Sequence, residues 1–133
     1  MNLSSYVGLP FAELGRGPDA YDCWALLALV YRECFGLALP SYDDRYDTTA
    51  DGAELAGIIA GEIGPWREIA PGAERTGDGV LMTLGGHARH VGIVAGDGLV
   101  LHTERGTGSI IQSYHSARLA RRVRGFFRHE SLS

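Results

Sequence analysis

The run Ala25-Leu26-Leu27-Ala28-Leu29-Val30-Tyr31 carries no glycine, proline or charge, and it predicts a buried helix. Asp22 stands ahead of it as an N-cap. The helix is expected to reach about Phe35, where Gly36 and the nearby Pro40 stop it. Only Arg32 and Glu33 are charged within it, so burial on nearly all sides is expected. A second helix, diluted by Ala and Gly, is read over residues 50–63 from Leu55, Ile58, Ile59 and Ile63, with Gly64-Pro65 ending it. Residues 41–49 between the two form a polar, tyrosine-rich loop, suited either to border a cleft or to be pinned at the surface. Ahead of the first helix, residues 8–19 are rich in Gly and Pro and read as a short helical turn running into a loop.

After Trp66 the pattern changes to period two, with strands expected over residues 80–83, 90–95, 99–103, 109–113 and 123–127 and a short helix over 116–120. The short, glycine-bearing connections favour an antiparallel meander over crossover units. Helices first and strands after argue for an α+β fold in a single domain spanning residues 1–133, with Leu26, Leu27, Val30, Ile93, Val94 and Leu101 in its core.

Composition narrows the functional classes. A chain of 133 residues with 45% hydrophobic and 21% charged content suits one domain with a real core. Its net charge of -4 lacks the basic footprint that nucleic acid requires, and the arginines of residues 118–128 read as a solvated face. No stretch approaches the roughly 20 apolar residues of a spanning helix, so membrane insertion is not expected. The segment Met1-Asn2-Leu3-Ser4-Ser5-Tyr6 lacks the basic and apolar regions of a leader, which predicts synthesis in the cytoplasm without a signal peptide. Cys23 and Cys34 lie on one predicted helix about 16 Å apart and cannot bridge; Cys34 shares a helix face with Cys23 and reads as an inert core thiol.

Cys23 is the chemically distinctive position. A thiol at a helix N-terminus meets unpaired N–H groups and the positive end of the macrodipole, so a lowered pKa and fast alkylation are expected. His90 and His102 on neighbouring strands offer a base and an orienting partner. Whether they share a face depends on the turn between them. A three-residue loop, Gly96-Asp97-Gly98, would pair Ala95 with Leu99 and Gly92 with His102, making His90 a diagonal neighbour of His102. A two-residue loop would pair Gly96 with Leu99 and separate the histidines, because a one-residue slip inverts every side chain. Gly92 is read as leaving room for the Cys23 helix.

The segments Gly8-Leu9-Pro10-Phe11, Gly17-Pro18-Asp19-Ala20-Tyr21-Asp22-Cys23-Trp24, Gly77-Asp78, His90-Val91-Gly92-Ile93 and His102 together resemble the ordered motifs of the NlpC/P60 family of papain-like cysteine peptidases, within it the phage tail-associated branch. The resemblance implies N-terminal helices packed on an antiparallel sheet, Cys23 as nucleophile, His90 as base and His102 as the residue orienting it. It further implies hydrolysis of peptide stems in bacterial peptidoglycan, no cofactor, phage tail proteins as partners, and a place in the virion tail. Phe11, Tyr21, Asp22 and Trp24 are then expected near the substrate. Arg89 is either a partner for a substrate carboxylate or a solvated side chain. Two positions depart from the family pattern: Phe11 stands where a tyrosine is usual, with Tyr6 or Tyr21 as substitute donors, and Trp24 replaces the common serine, as in the phage-like variant. The rival readings are a zinc site drawn from Cys23, His87, His90 and His102, a degenerate tail structural protein, and acyl transfer on the same fold. His87, His115 and His129 are expected at the surface.

Overall fold

A computed structural model describes residues 2–40, 65–84 and 87–132. The loop read over 41–49 and the helix read over 50–63 fall outside the described residues, as do the side chains of His87 and Arg89.

Helix α1 (Cys23–Phe35) begins where the sequence places it, because Asp22 holds an extended backbone and its Oδ1 accepts from the Ala25 N–H at 2.8 Å. It ends on Gly36, whose φ of 64° is a left-handed conformation that costs glycine little, and whose N–H returns to the Tyr31 carbonyl. From Cys23 to Leu27 and from Leu29 to Tyr31 the side chains are buried, packed with Leu81, Val91, Ile93, Leu101 and Phe127 of the sheet. Cys34 does not join them. It is exposed, with the Tyr6 hydroxyl 3.6 Å from its sulfur. Eleven residues turn about 20° past three full turns, so Cys34 keeps the azimuth of Cys23. Azimuth does not supply cover, and Arg32, Glu33 and Cys34 in the last turn all face solvent.

The sheet has six strands: β1 (Trp66–Ile69), β2 (Gly79–Leu84), β3 (His87–Gly96), β4 (Leu99–Glu104), β5 (Gly108–Ser113) and β6 (Val123–His129). Their spatial order is β1-β6-β2-β3-β4-β5, with every neighbouring pair antiparallel. The meander expected from the short connections runs from β2 to β5. The chain then passes through α2 (Ala117–Ala120), capped by the Ser116 hydroxyl, and β6 returns to the far side of β2. β1 was invisible to periodicity because Arg67 and Glu68 are consecutive exposed residues between buried Trp66 and Ile69.

The sheet is covered on both faces. Val91, Ile93 and Leu101 face α1, whereas Val80, Met82, Val94, Val100 and Phe126 pack with Tyr114 and Leu119. Of the arginines of residues 118–128, Arg118, Arg121 and Arg124 are exposed as expected, whereas Arg122 is half-buried and Arg128 departs from that reading. β6 lies inside the sheet, and Arg128 on it is buried. Its Nε and Nη2 each donate at 2.8 Å to the two oxygens of buried Asp78. His129 is likewise buried rather than at the surface, edge-on to Trp66 at 5.2 Å and accepting at Nδ1 from the Ser131 N–H. His115 is exposed as expected.

The β3–β4 hairpin also differs from expectation. Its loop is Asp97-Gly98, with Gly96 paired to Leu99, and not the three-residue Gly96-Asp97-Gly98. Ala95 is bulged: the next pairs are Val94 with Val100 and Ile93 with Leu101. The extra residue restores the register that the shorter loop alone would have lost. Gly92 therefore lies across from His102, and a Cβ on it would sit 2.6 Å from Val100 Cγ2 and 3.1 Å from His102 Cβ. Its missing side chain makes room for β4, not for α1.

Asp78→Ala leaves the Arg128 guanidinium buried without its carboxylate, and a loss of about 3 to 5 kcal/mol is expected in urea unfolding. A loss well under 1 kcal/mol would show that water already screens this pair.

Candidate active site

His90 and His102 meet. The His90 Nε2 to His102 Nδ1 distance is 2.9 Å, with the rings edge-on at 73°. The diagonal placement of the two residues follows from the bulged register. His102 Nε2 lies 2.7 Å from Gln112 Oε1, which comes from β5, where His102 pairs with Ile110 two residues earlier. Glu104 Oε1 lies 3.5 Å from both His90 Nε2 and His102 Nδ1, and Arg122 Nη1 approaches the same oxygen at 2.6 Å. That oxygen has no aligned hydrogen bond despite these neighbours, and its ionic partner is the Arg122 guanidinium. Arg122 is itself held by Nε donating to the Thr83 carbonyl at 2.9 Å.

Cys23 reaches this strand from the other side. It is 1% exposed at the N-terminus of α1, and its sulfur accepts from the backbone N–H of Val91, the residue after His90, and from that of Trp24. Val91 faces α1, and by strand alternation His90 points with its partner Met82 toward the opposite face. The polar neighbours of the sulfur are these N–H groups with the carboxylates of Asp22 and Glu13, while those of His90 are His102 and Arg122. Thiol and imidazole thus meet β3 at successive residues without a hydrogen bond between them.

This placement reverses the expected electrostatics. Burial first, and then the Asp22 carboxylate, push the Cys23 thiol up to about 12, and the two N–H groups lower it too weakly to compensate. The helix terminus favours an anion only where the anion is solvated or paired, and here it is neither. Burial also holds His90 well below the usual histidine range, with His102 and the Arg122 guanidinium adding to the effect. His102 is lowered by burial against the opposing pull of Gln112 and Glu104. The resting site is a neutral thiol beside two neutral imidazoles.

The remaining expected site residues are mostly engaged within the chain. Asp22 is buried, capping α1 and accepting from Arg16 Nη1 at 2.8 Å. Trp24 is buried, its indole donating to the Pro40 carbonyl at 2.8 Å. Tyr21 is buried, its ring filling the space a side chain on Gly17 would take. Phe11 is half-buried, bridges to Tyr21 through its backbone, and lies 6.0 Å beneath the Arg105 guanidinium. Tyr6 donates to Glu33 at 2.8 Å, at the end of α1 remote from Cys23, so its hydroxyl does not stand in for the one absent at Phe11.

Sequence reading missed Gln112, Glu104 and Arg122. The one available signal was parity: Gln112 shares a strand face with Ile110, opposite His102. Of the expected zinc set, Cys23 is not grouped with the histidines; among the described residues the cluster with ligand-like spacing is His90, His102 and Glu104. There the imidazole nitrogens are at hydrogen-bond separation and a guanidinium occupies the carboxylate, so the donors are engaged with one another. A cleft of about 520 Å³ lined by Glu74, Tyr114, His115 and Phe126 touches none of Cys23, His90 and His102.

Comparison with known proteins gives a consistent picture. The model of the NlpC/P60 family matches residues 8–128. The murein DD-endopeptidase MepS/murein LD-carboxypeptidase of Escherichia coli strain K12 is 29% identical over 112 residues, 83% of this chain and 50% of that protein. The chain spans about half the length of the curated relatives it matches. Among solved structures, the NlpC/p60 domain of the peptidoglycan hydrolase SagA superposes with a TM-score of 0.60 at 18% identity, covering 93% of this chain and 90% of that one. An NlpC/P60 family protein from Bacillus cereus gives 0.67 at 17% identity, covering 93% and 36%. These likenesses establish the α+β, papain-like fold.

Two measurements follow from the buried, neutral site. In the resting protein iodoacetamide should modify exposed Cys34 before buried Cys23 at neutral pH, as read by peptide mass; faster modification of Cys23 would mean that the resting thiol is open and ionised. Stability should fall on the acid side. His90 and His102 stay neutral when folded, whereas their unfolded counterparts take up protons below about 6.5. The unfolded state then binds more protons, so stability rises with pH up to that value and levels off above it as far as these rings contribute. His90→Asn should flatten the slope in urea unfolding between about pH 5 and pH 7, and an unchanged slope would assign it to other groups.

Proposed function

The chain belongs to the NlpC/P60 family, and on that premise we propose that it is a cysteine peptidase hydrolysing amide bonds in the peptide stems of bacterial peptidoglycan. The observation that carries the reading is the His90 Nε2 to His102 Nδ1 hydrogen bond, formed one residue from the N–H that holds the Cys23 sulfur. The substrate class is supported by the murein endopeptidase relative.

The chemistry begins from the neutral pair. His90 Nε2 is occupied by His102, so Nδ1 is the nitrogen left to take the Cys23 proton. Hydrogen bonds of this kind commonly tighten only in the substrate complex. The thiolate attacks the amide carbonyl carbon, forming a C–S bond and an oxyanion, and the Cys23 backbone N–H at the start of α1 is the donor positioned to stabilise it. The imidazolium returns its proton to the leaving nitrogen as the C–N bond breaks. Water, deprotonated at His90, then hydrolyses the thioester. His102 holds the ring throughout and transfers no proton to substrate.

In this reading the protein belongs to the phage tail-associated branch, works at the wall from the virion tail, and has tail proteins as partners; Trp24 in the position after the nucleophile is what supports it. A second reading, a tail structural component with a degenerate site, rests on Phe11 lacking the hydroxyl usual at its position. In both, Phe11 and Arg89 are the expected residues still to be placed against substrate.

Digestion of purified sacculi followed by mass spectrometry of the released fragments separates the two. The wild type should release stem peptides, Cys23→Ala and His90→Ala should lose about 10⁴-fold or more in rate, and His102→Ala should lose less. A wild type that releases no stem peptides would establish the structural reading instead.

A further inference from the structure

Gln112 lies behind the histidine pair and settles a point that distance alone leaves open, namely which nitrogen of each ring carries its hydrogen. Its Oε1 is 2.7 Å from His102 Nε2. An amide oxygen can only accept, so His102 Nε2 carries the hydrogen. A neutral imidazole has one such hydrogen, which leaves His102 Nδ1 as a bare acceptor. The 2.9 Å contact from His90 Nε2 to that atom then needs a hydrogen on His90 Nε2, and the lone pair of His90 falls on Nδ1.

We propose that Gln112 is a positioning residue which, through His102, fixes His90 in the Nε2–H tautomer and so keeps Nδ1 ready to receive a proton. The opposite amide orientation would reverse every step: Gln112 Nε2 would donate, His102 would carry its hydrogen on Nδ1, and His90 would present an N–H where a base is needed. Burial of both rings and the guanidinium of Arg122 disfavour the doubly protonated forms that would erase the distinction. Glu104 does not set the direction. Its Oε1 is equally distant from His90 Nε2 and His102 Nδ1, at 3.5 Å, and makes an aligned hydrogen bond to neither. Gln112 alone, at the outer end, breaks the symmetry of the pair.

The catalytic meaning of this relay rests on the peptidase reading, but the tautomers are read without turnover. Long-range proton–nitrogen correlation spectra of the imidazoles at about pH 8, above the ordinary histidine range, should show both rings protonated at Nε2 in the wild type. Gln112→Leu should leave His102 in a mixture of tautomers, lowering kcat for stem-peptide cleavage with KM little changed. Outer partners of metal-bound imidazoles set the expected scale, about 10- to 100-fold. Gln112→Glu, which can only accept, should restore the Nε2–H signals and most of the rate at that pH. Gln112 is half-exposed, so all three proteins should unfold at similar denaturant concentrations. Wild-type His102 protonated at Nδ1, or a Gln112→Leu protein with unchanged tautomers, would overturn the inference. If the tautomers respond as described and no variant cuts wall peptide, the peptidase reading fails and the control of His90 by Gln112 stands.

Discussion

Everything at the histidine pair depends on one residue that is left out of the β3–β4 ladder. The loop Asp97-Gly98 closes with Gly96 opposite Leu99, a register that would send His90 and His102 to opposite faces of the sheet. The Ala95 bulge inserts one residue on β3, shifts each later pair by one, and returns His90 to the face of His102. Gly92 makes the close approach tolerable, since any Cβ there would collide with Val100 and the Leu101 carbonyl. A hairpin with a regular ladder and a side chain at residue 92 would keep the same strands and lose the site.

Burial gives this site its rigidity and also its resting state. His90 and His102 are buried away from water, where a neutral ring is favoured, while the Glu104 and Arg122 side chains that pair beside them stay partly exposed. The same exclusion of water keeps the Cys23 proton on sulfur. Burial thus holds the thiol and both imidazoles in their neutral forms. Asp78 and Arg128 apply the other solution available to buried charge, pairing in a bidentate contact that ties β6 to the turn entering β2.

Helix α1 carries two tasks that pull in different directions. Its apolar length anchors it to Val91, Ile93 and Leu101, which fixes Cys23 against the β3 backbone. At its N-terminus the Trp24 N–H donates to the sulfur, yet the capping carboxylate of Asp22 opposes ionisation of that thiol. A residue that starts the helix well thus disfavours the thiolate at the helix's first position.

The sequence by itself determined the elements whose signals are local. Asp22, the apolar run to Tyr31 and Gly36 delimit α1 almost to the residue, and alternation locates β2 to β6, because caps and periodicity act over a few neighbouring positions. The ordered motifs likewise pointed to the family. Only the tertiary structure decided the rest. β1 and the burial of Arg128 and His129 depend on β6 returning between β1 and β2, a pairing between segments more than forty residues apart. The exposure of Cys34 depends on what covers the end of α1, and the protonation of Cys23 on how deeply its start is buried. Gln112 reaches His102 across the regular β4–β5 ladder, and His102 reaches His90 across the bulged β3–β4 one, a combination that no local pattern encodes.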